Sequence, residues 1–319
     1  MMEFLSVLWF FLIFVLIAGY FVLDGFDLGI GVLSPFIAKN DEERAVLRRA
    51  IGPVWDGNEV WLLTAGGALF AAFAPAYAAT FSGFYLAVML VLFGLIVRAV
   101  SLEYRGHDKK YGKVWDGCFF VGSLLPALLL GVAVGNIYAG IPMDMNGDYV
   151  GVPLLGLITP FTLLCGLLGL AMFMAAGAAW IALKAPKPSA LQARAVGLRL
   201  PLQVAALVLF LAVSVYGHFV IQPAMDPALG IVRWLFAILA VGGIVASIVL
   251  ARRGEGSDKG AFLAQSVSAF CLVGLLAASM FPNLVVASAG SVGPSITLMS
   301  AASSELSLMW MTIITCVGL

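Results

Sequence analysis

Charge is scarce in this chain. Of its 319 residues 17 are basic and 17 acidic, and the charged fraction is 11%. Apolar residues reach 62%, whereas soluble domains carry about half apolar and about a quarter charged residues. A water-soluble fold of this length could not hide so much apolar surface. Cysteine is also sparse: Cys118, Cys165, Cys271 and Cys316 are scattered through apolar segments with no CxxC pair. That excludes a disulfide framework or a thiolate metal site and reads as buried small hydrophobes. No P-loop, dinucleotide fingerprint or nucleophile motif is present, and Gly66-Gly67-Ala68 is a close-packing signal at most. A formal net charge of zero says nothing about nucleic acid or an acidic partner, because the charges are segregated along the chain; no nucleic acid is expected as a partner.

What the chain has is a series of long apolar runs with positive charge in every second gap. Lys39, Arg44, Arg48 and Arg49 form one cluster; Arg98, Arg105, Lys109, Lys110 and Lys113 form the next. Lys184, Lys187, Arg194 and Arg199 make the third, and Arg252, Arg253 and Lys259 the fourth. Only Arg233 lies in another gap, and those gaps hold Glu3, Asp144, Asp148, Asp226 and Glu305. This alternation is the mark of a polytopic membrane protein whose basic loops are cytoplasmic. The N-terminus is then periplasmic, in a bacterial inner membrane. The start Met-Met-Glu has no basic n-region, so the first run is expected to be a retained span.

Runs of about 20 apolar residues give nine expected spans in a single all-α integral membrane domain. They cover 4–33, 60–76, 77–101, 116–138, 154–183, 202–222, 231–250, 261–282 and 306–319. The last is too short to cross a bilayer, so the chain is expected to continue. Pro201 falls in the first turn of the sixth span, where a missing N–H costs little, and Pro126 predicts a kink in the fourth. Gly25/Gly29 and Gly131/Gly135 are spaced to let neighbouring helices approach closely. Val54-Trp55-Asp56-Gly57 recurs as Val114-Trp115-Asp116-Gly117, each copy at the start of a helix entering from the basic side. The repeat hints at a duplicated helix-pair architecture.

The acids inside the runs carry the chemistry, because an ionisable group in a span is costly and marks function by default. Asp24, Asp27, Asp56, Glu59 and Asp116 all fall at the basic ends of their helices. Asp24/Asp27 and Asp56/Glu59 are each three apart, so each pair shares a helix face. Arg98 is the available counter-charge. Carboxylates that open to the cytoplasm and lead inward are what proton uptake requires. A structural reading stands beside this one. Asp24 and Asp27 could lie at the wet interface, although the apolar segment 28–38 beyond them favours burial. Asp56 and Asp116 could cap their helices. A haem or metal centre would need His, Met or Cys ligands. His107 lies in a charged loop, and His218 near an outer helix end reads as an interfacial hydrogen-bonder. No cofactor or metal is expected on this chain's own ligands.

Four segments carry a resemblance that names a reaction. Asp24-Gly25-Phe26-Asp27-Leu28-Gly29, Trp55-Asp56-Gly57-Asn58-Glu59-Val60-Trp61, residues 66–72 and Phe81-Ser82-Gly83-Phe84-Tyr85 resemble subunit II of the cytochrome bd quinol oxidases. The likeness is strongest over the first third of the chain and continues through Arg98, Trp115-Asp116 and residues 131–136. Beyond that it becomes agreement of hydropathy alone.

The resemblance implies a terminal oxidase that reduces oxygen to water with electrons from quinol. Haems b and d and the quinol-oxidation loop would belong to subunit I, the expected heterodimer partner. A small single-helix accessory subunit and a structural quinone or lipid are further expectations. The family fold implies two four-helix bundles plus one extra helix. It also implies a cytoplasmic proton route through Asp56, with Asp24, Asp27 and Asp116 as further polar positions. Proton uptake inside and release by quinol outside would build membrane potential without a pump. Two other classes stay open: a proton-coupled secondary transporter and a purely structural partner subunit. Acids crowded at one end of the helices count against the transporter, which would hold them near the midplane.

Overall fold

The computed structural model describes residues 1–108, 110–223, 225–253 and 256–318. Lys109 of the second basic cluster and Leu319 at the end of the ninth run lie outside the described residues. Long apolar stretches form long helices because a segment surrounded by hydrocarbon must satisfy every backbone group internally. The longest is α1 (Met2–Ile37), whose 36 residues rise about 54 Å at 1.5 Å each, well beyond one hydrocarbon thickness. The short α2 (Asp41–Ile51) follows. Asn40 caps it by accepting from the Glu43 N–H at 2.8 Å, with acids in its first turn and Arg48 and Arg49 in its last, as the helix dipole favours.

Next come α3 (Trp55–Ala72), α4 (Ala74–Gly83), α5 (Tyr85–Tyr104) and α6 (Gly112–Ala139). The second half holds α7 (Pro160–Lys184), α8 (Ala190–Tyr216), α9 (Gly230–Arg252) and α10 (Asp258–Met280). A two-stranded antiparallel ribbon, β1 (Asn283–Val285) with β2 (Ile296–Thr297), precedes α11 (Leu298–Ala301) and α12 (Glu305–Gly318). The helices α1, α3, α5 and α6 form one four-helix group and α7–α10 a second, and α1 packs against α7 and α10 to join them. The helix α12 leans on α1, where Trp9 donates from its indole Nε1 to the Leu308 carbonyl at 3.2 Å.

Small residues set the joint between the two groups. A Cβ on Gly29 would stand 1.8 Å from the Phe173 carbonyl oxygen, and one on Gly131 2.7 Å from the Cys165 carbonyl. Both glycine pairs seen in the sequence therefore face α7.

Seven helices among the described residues are long and apolar enough to cross a membrane: α1, α5, α6, α7, α8 with its π-helical continuation to Ile221, α9 and α10. The nine-span reading also needs α3, of 18 residues, and α12, of 14. Several boundaries differ from the sequence reading. The stretch 77–101 is not one helix: it breaks at Phe84 between α4 and α5. Pro201 does not open a helix, because α8 begins eleven residues earlier at Ala190, capped by the Ser189 side chain. Its first turns carry Arg194 and Arg199 and so escape an apolar-run criterion. Likewise Asp116 lies in the second turn of α6, which starts at Gly112, and not at a capping position. The helix runs through Pro126 unbroken, with the ring against the Gly94 position of α5.

The described residues of all four basic clusters fall at one end of the helices, called here the basic end. At the other end, residues 140–159 and 281–297 close over the bundle. Ile141 N–H donates to Val286 O at 3.0 Å, and Gly293 N–H to Met143 O at 3.0 Å.

Candidate functional site

The site grows from one face of α1 near the basic end. Asp24 and Asp27 sit a turn apart there, and both are fully buried. Arg98 reaches Asp24 from α5, about two turns before that helix ends, and is also fully buried. Its Nη2 donates to Asp24 Oδ1 at 2.7 Å and to Glu59 Oε1 at 2.6 Å. Glu59 stands on the first turns of α3, with its side chain 26% exposed. One guanidinium nitrogen therefore holds two carboxylates from two helices.

Asp27 joins through a residue that sequence reasoning left without a role. Asn58 donates from Nδ2 to Asp27 Oδ2 at 2.8 Å and to the Leu23 carbonyl at 3.0 Å. Its signal was available, since Asn58 sits between two acids at the mouth of an apolar helix. Among the described residues, four buried atoms of the cluster, Asp24 Oδ2, Asp27 Oδ1 and the Nε and Nη1 of Arg98, have no hydrogen-bond partner. Such orphaned groups are where internal water belongs in folded proteins.

Asp56 and Asp116 lie outside this cluster. Asp56, in the first turn of α3, is exposed on the surface of the chain. It shares that outward face with Val60, Leu63 and Phe70, which are also exposed. Asp116 belongs to a second cluster at the basic surface. Arg105 donates from Nε and Nη2 to its two oxygens at 2.8 and 3.2 Å, and Arg105 Nη2 also reaches Asp41 at 2.9 Å. The Arg105 guanidinium first, and the Arg44 hydrogen bond next, hold the Asp41 carboxyl below its usual range.

A third charged group, absent from the sequence reading, sits at the basic end of the other half. The nearly buried Arg199 donates to Asp258 Oδ1 at 2.7 Å, and Lys187 pairs with the other oxygen. An acid opening an apolar run beside a basic loop was the available signal.

Among the described residues no group of three or more His, Cys, Asp or Glu side chains could hold a metal ion. Both His107 and His218 are exposed, one at each end of the bundle.

These features define a class: a polytopic helical membrane protein with a buried carboxylate–guanidinium cluster at its basic end. The sequence model for cytochrome bd terminal oxidase subunit II matches residues 5–319. The chain is 35% identical to cytochrome bd-I ubiquinol oxidase subunit 2 of Escherichia coli K12, over 97% of this chain and 89% of that one. It is 38% identical to cytochrome bd ubiquinol oxidase subunit 2 of Bacillus subtilis, over 96% and 89% respectively. Its fold is similar to a chain of the bd oxidase from Geobacillus thermodenitrificans, with a TM-score of 0.78, 16% identity, and 98% of this chain and 94% of that chain covered. The chain belongs to the cytochrome bd terminal oxidase subunit II family. It is a membrane protein, a subunit of a terminal oxidase, and membership implies a subunit I partner and haem in the complex.

Proposed function

We propose that this chain is the haem-free half of a quinol:oxygen oxidoreductase in the bacterial inner membrane. It braces a subunit I that carries haems b and d, and supplies protons from the cytoplasm for reduction of oxygen to water. The observation that carries the reading is the buried Asp24–Arg98–Glu59 cluster with Asp27 beside it. Three carboxyls and one guanidinium balance their charge only when protons are bound, which is the property of a proton station. Glu59 connects the buried acids to the surface, and Asp56, one turn before it, stands exposed at the mouth. The route runs from Asp56 to Glu59, then to Asp24 and Asp27, with internal water between groups not in direct contact. Electrons come from quinol, whose protons leave on the opposite side, so charge separates without a pump.

Docking of subunit I against the outward face of α3 would take Asp56 away from lipid, which a lone carboxylate next to Val60 and Leu63 requires. The haems are assigned to subunit I because His107 and His218 are both exposed, at opposite ends of the bundle, and neither lies in its apolar interior. The orientation, basic end inside, follows from the loop charges.

The test is Glu59→Gln in the assembled oxidase. Glutamine keeps an oxygen for Arg98 but cannot titrate. Oxygen consumption is expected to fall at least ~10-fold, about 1.4 kcal/mol of barrier, with haem content retained. Parental turnover by an intact Glu59→Gln complex would leave the cluster a scaffold and nothing more.

A further inference from the structure

A cavity of about 720 Å³ opens at the basic end where α1, α2, α5 and α6 meet. Five cations, Arg44, Arg48, Arg105, Lys110 and Lys113, line it against two carboxylates, Asp41 and Asp116. The carboxylates do not neutralise the arginines evenly. Asp116 is taken up by Arg105 at 2.8 Å, while Arg44 and Arg48 stand at 3.5 and 3.7 Å from it. Asp41, 76% exposed, faces Arg44 and Arg105 at 3.2 and 2.9 Å. Lys110 and Lys113 are exposed and form no ion pair among the described residues. Fixed arginine forks with donors to spare suit an oxyanion, and a phosphate above all.

The opposite wall is apolar. Phe36, at the end of α1 and 59% exposed, meets Phe120 of α6 edge to face with centroids 6.0 Å apart, and Val114, 57% exposed, adds to the rim. A phosphate ion needs neither this wall nor so large a volume. We infer that the cavity binds an anionic phospholipid, its phosphodiester on Arg44, Arg48 and Lys113 and the upper part of its chains along Phe36 and Phe120. Basic pockets between membrane helices at the cytoplasmic side take such headgroups. The side rests on the orientation proposed above, but the binding does not depend on proton uptake. A zwitterionic lipid brings a cation of its own to a site already rich in them.

The experiment uses the whole oxidase complex in neutral detergent. It is titrated with dioleoyl phosphatidylglycerol and separately with dioleoyl phosphatidylcholine, and bound lipid is counted by native mass spectrometry. The complex should retain the anionic lipid at lower concentration than the zwitterionic one. Arg48→Gln/Lys113→Gln should weaken the tightest phosphatidylglycerol binding at least ~5-fold, while Arg253→Gln/Lys259→Gln, which removes two exposed charges elsewhere at the same end, should not. Intact mass and haem content report assembly in the same samples. If the double variant does not assemble, Val114→Asp places a negative charge on the exposed rim, leaves every arginine contact in place, and should weaken binding likewise. Equal affinity for the two lipids, or undiminished phosphatidylglycerol binding in an assembled cavity variant, overturns the proposal. Displacement by equimolar glycerol phosphate overturns it too, because a soluble phosphate would then be the ligand.

Discussion

Arg98 Nη2 lies 2.7 Å from Asp24 Oδ1, with both side chains fully buried and seventy-four residues apart in sequence. The pair ties α5 to α1 inside an apolar bundle, where removing one partner strands the other's charge. Arg98→Met is therefore expected to destabilise the subunit by roughly 3–5 kcal/mol, seen as loss of assembled complex and a lowered melting midpoint. Adding Asp24→Asn removes the stranded charge and should recover part of the loss. A double variant no more stable than Arg98→Met alone would mean that the arginine acts through packing, not charge.

Gly29 sits where α1 and α7 touch backbone to backbone. A methyl there meets the Phe173 carbonyl at 1.8 Å, with no flexible side chain to yield. Gly29→Ala is expected to separate the two halves and cost at least ~1–3 kcal/mol, the usual range for overpacking. Gly197→Ala on α8 is the control, since nothing stands within 4 Å of its added carbon. Melting of the purified complex in detergent compares the two directly.

The long helices were legible because each run of apolar residues is its own signal. The fold departs from the sequence reading where no such signal exists. The break at Phe84 carries only Ser82-Gly83 as punctuation, and both residues are common inside membrane helices. The first turns of α8 mix Arg194 and Arg199 with leucines, so the helix begins before its apolar run. The β1–β2 ribbon is too short to show alternation. The buried acids could be picked out by the cost of their placement, but their partners could not. That Arg98 serves both Asp24 and Glu59, or that Arg105 takes Asp116, depends on which helix faces turn together. Asp56 shows the same limit from the other side: its neighbours in sequence suggest burial, yet its side chain points out of the chain.

The surface cluster gives a prediction in pH. Asp41 is held below its ordinary range chiefly by the charge of Arg105. A depressed folded-state value stabilises the fold above the unfolded value, about 3.9 for aspartate, and that gain is lost as pH falls through the lowered one. The part of the melting midpoint that this pair supplies should therefore not change with pH near neutrality and should be lost in acid. Asp41→Asn should lower the neutral end slightly, leave the acid end nearly unchanged, and so flatten the fall. An identical acid slope in parent and variant would show that the pairing is too exposed to matter.

Asp56 provides the sharpest test of direction, because it stands at the mouth of the proposed route and not inside it. Its side chain makes no hydrogen bond or ion pair among the described residues, so Asp56→Asn should leave the fold of this subunit untouched. Asparagine keeps the size and the hydrogen-bonding capacity of the residue and removes only titration. If protons enter here, oxygen consumption by the assembled oxidase should fall at least ~10-fold, about 1.4 kcal/mol of added barrier. Haem absorbance and subunit ratio should stay at parental values. Glu103→Gln is the matched control: it removes an exposed carboxylate at the same end, on the last turn of α5, and should change turnover little. A fall in both variants would point to general surface charge. No fall in Asp56→Asn, with Glu59→Gln impaired, would move the entrance off Asp56 and keep the buried station, and no fall in either would leave this subunit as a scaffold for its partner.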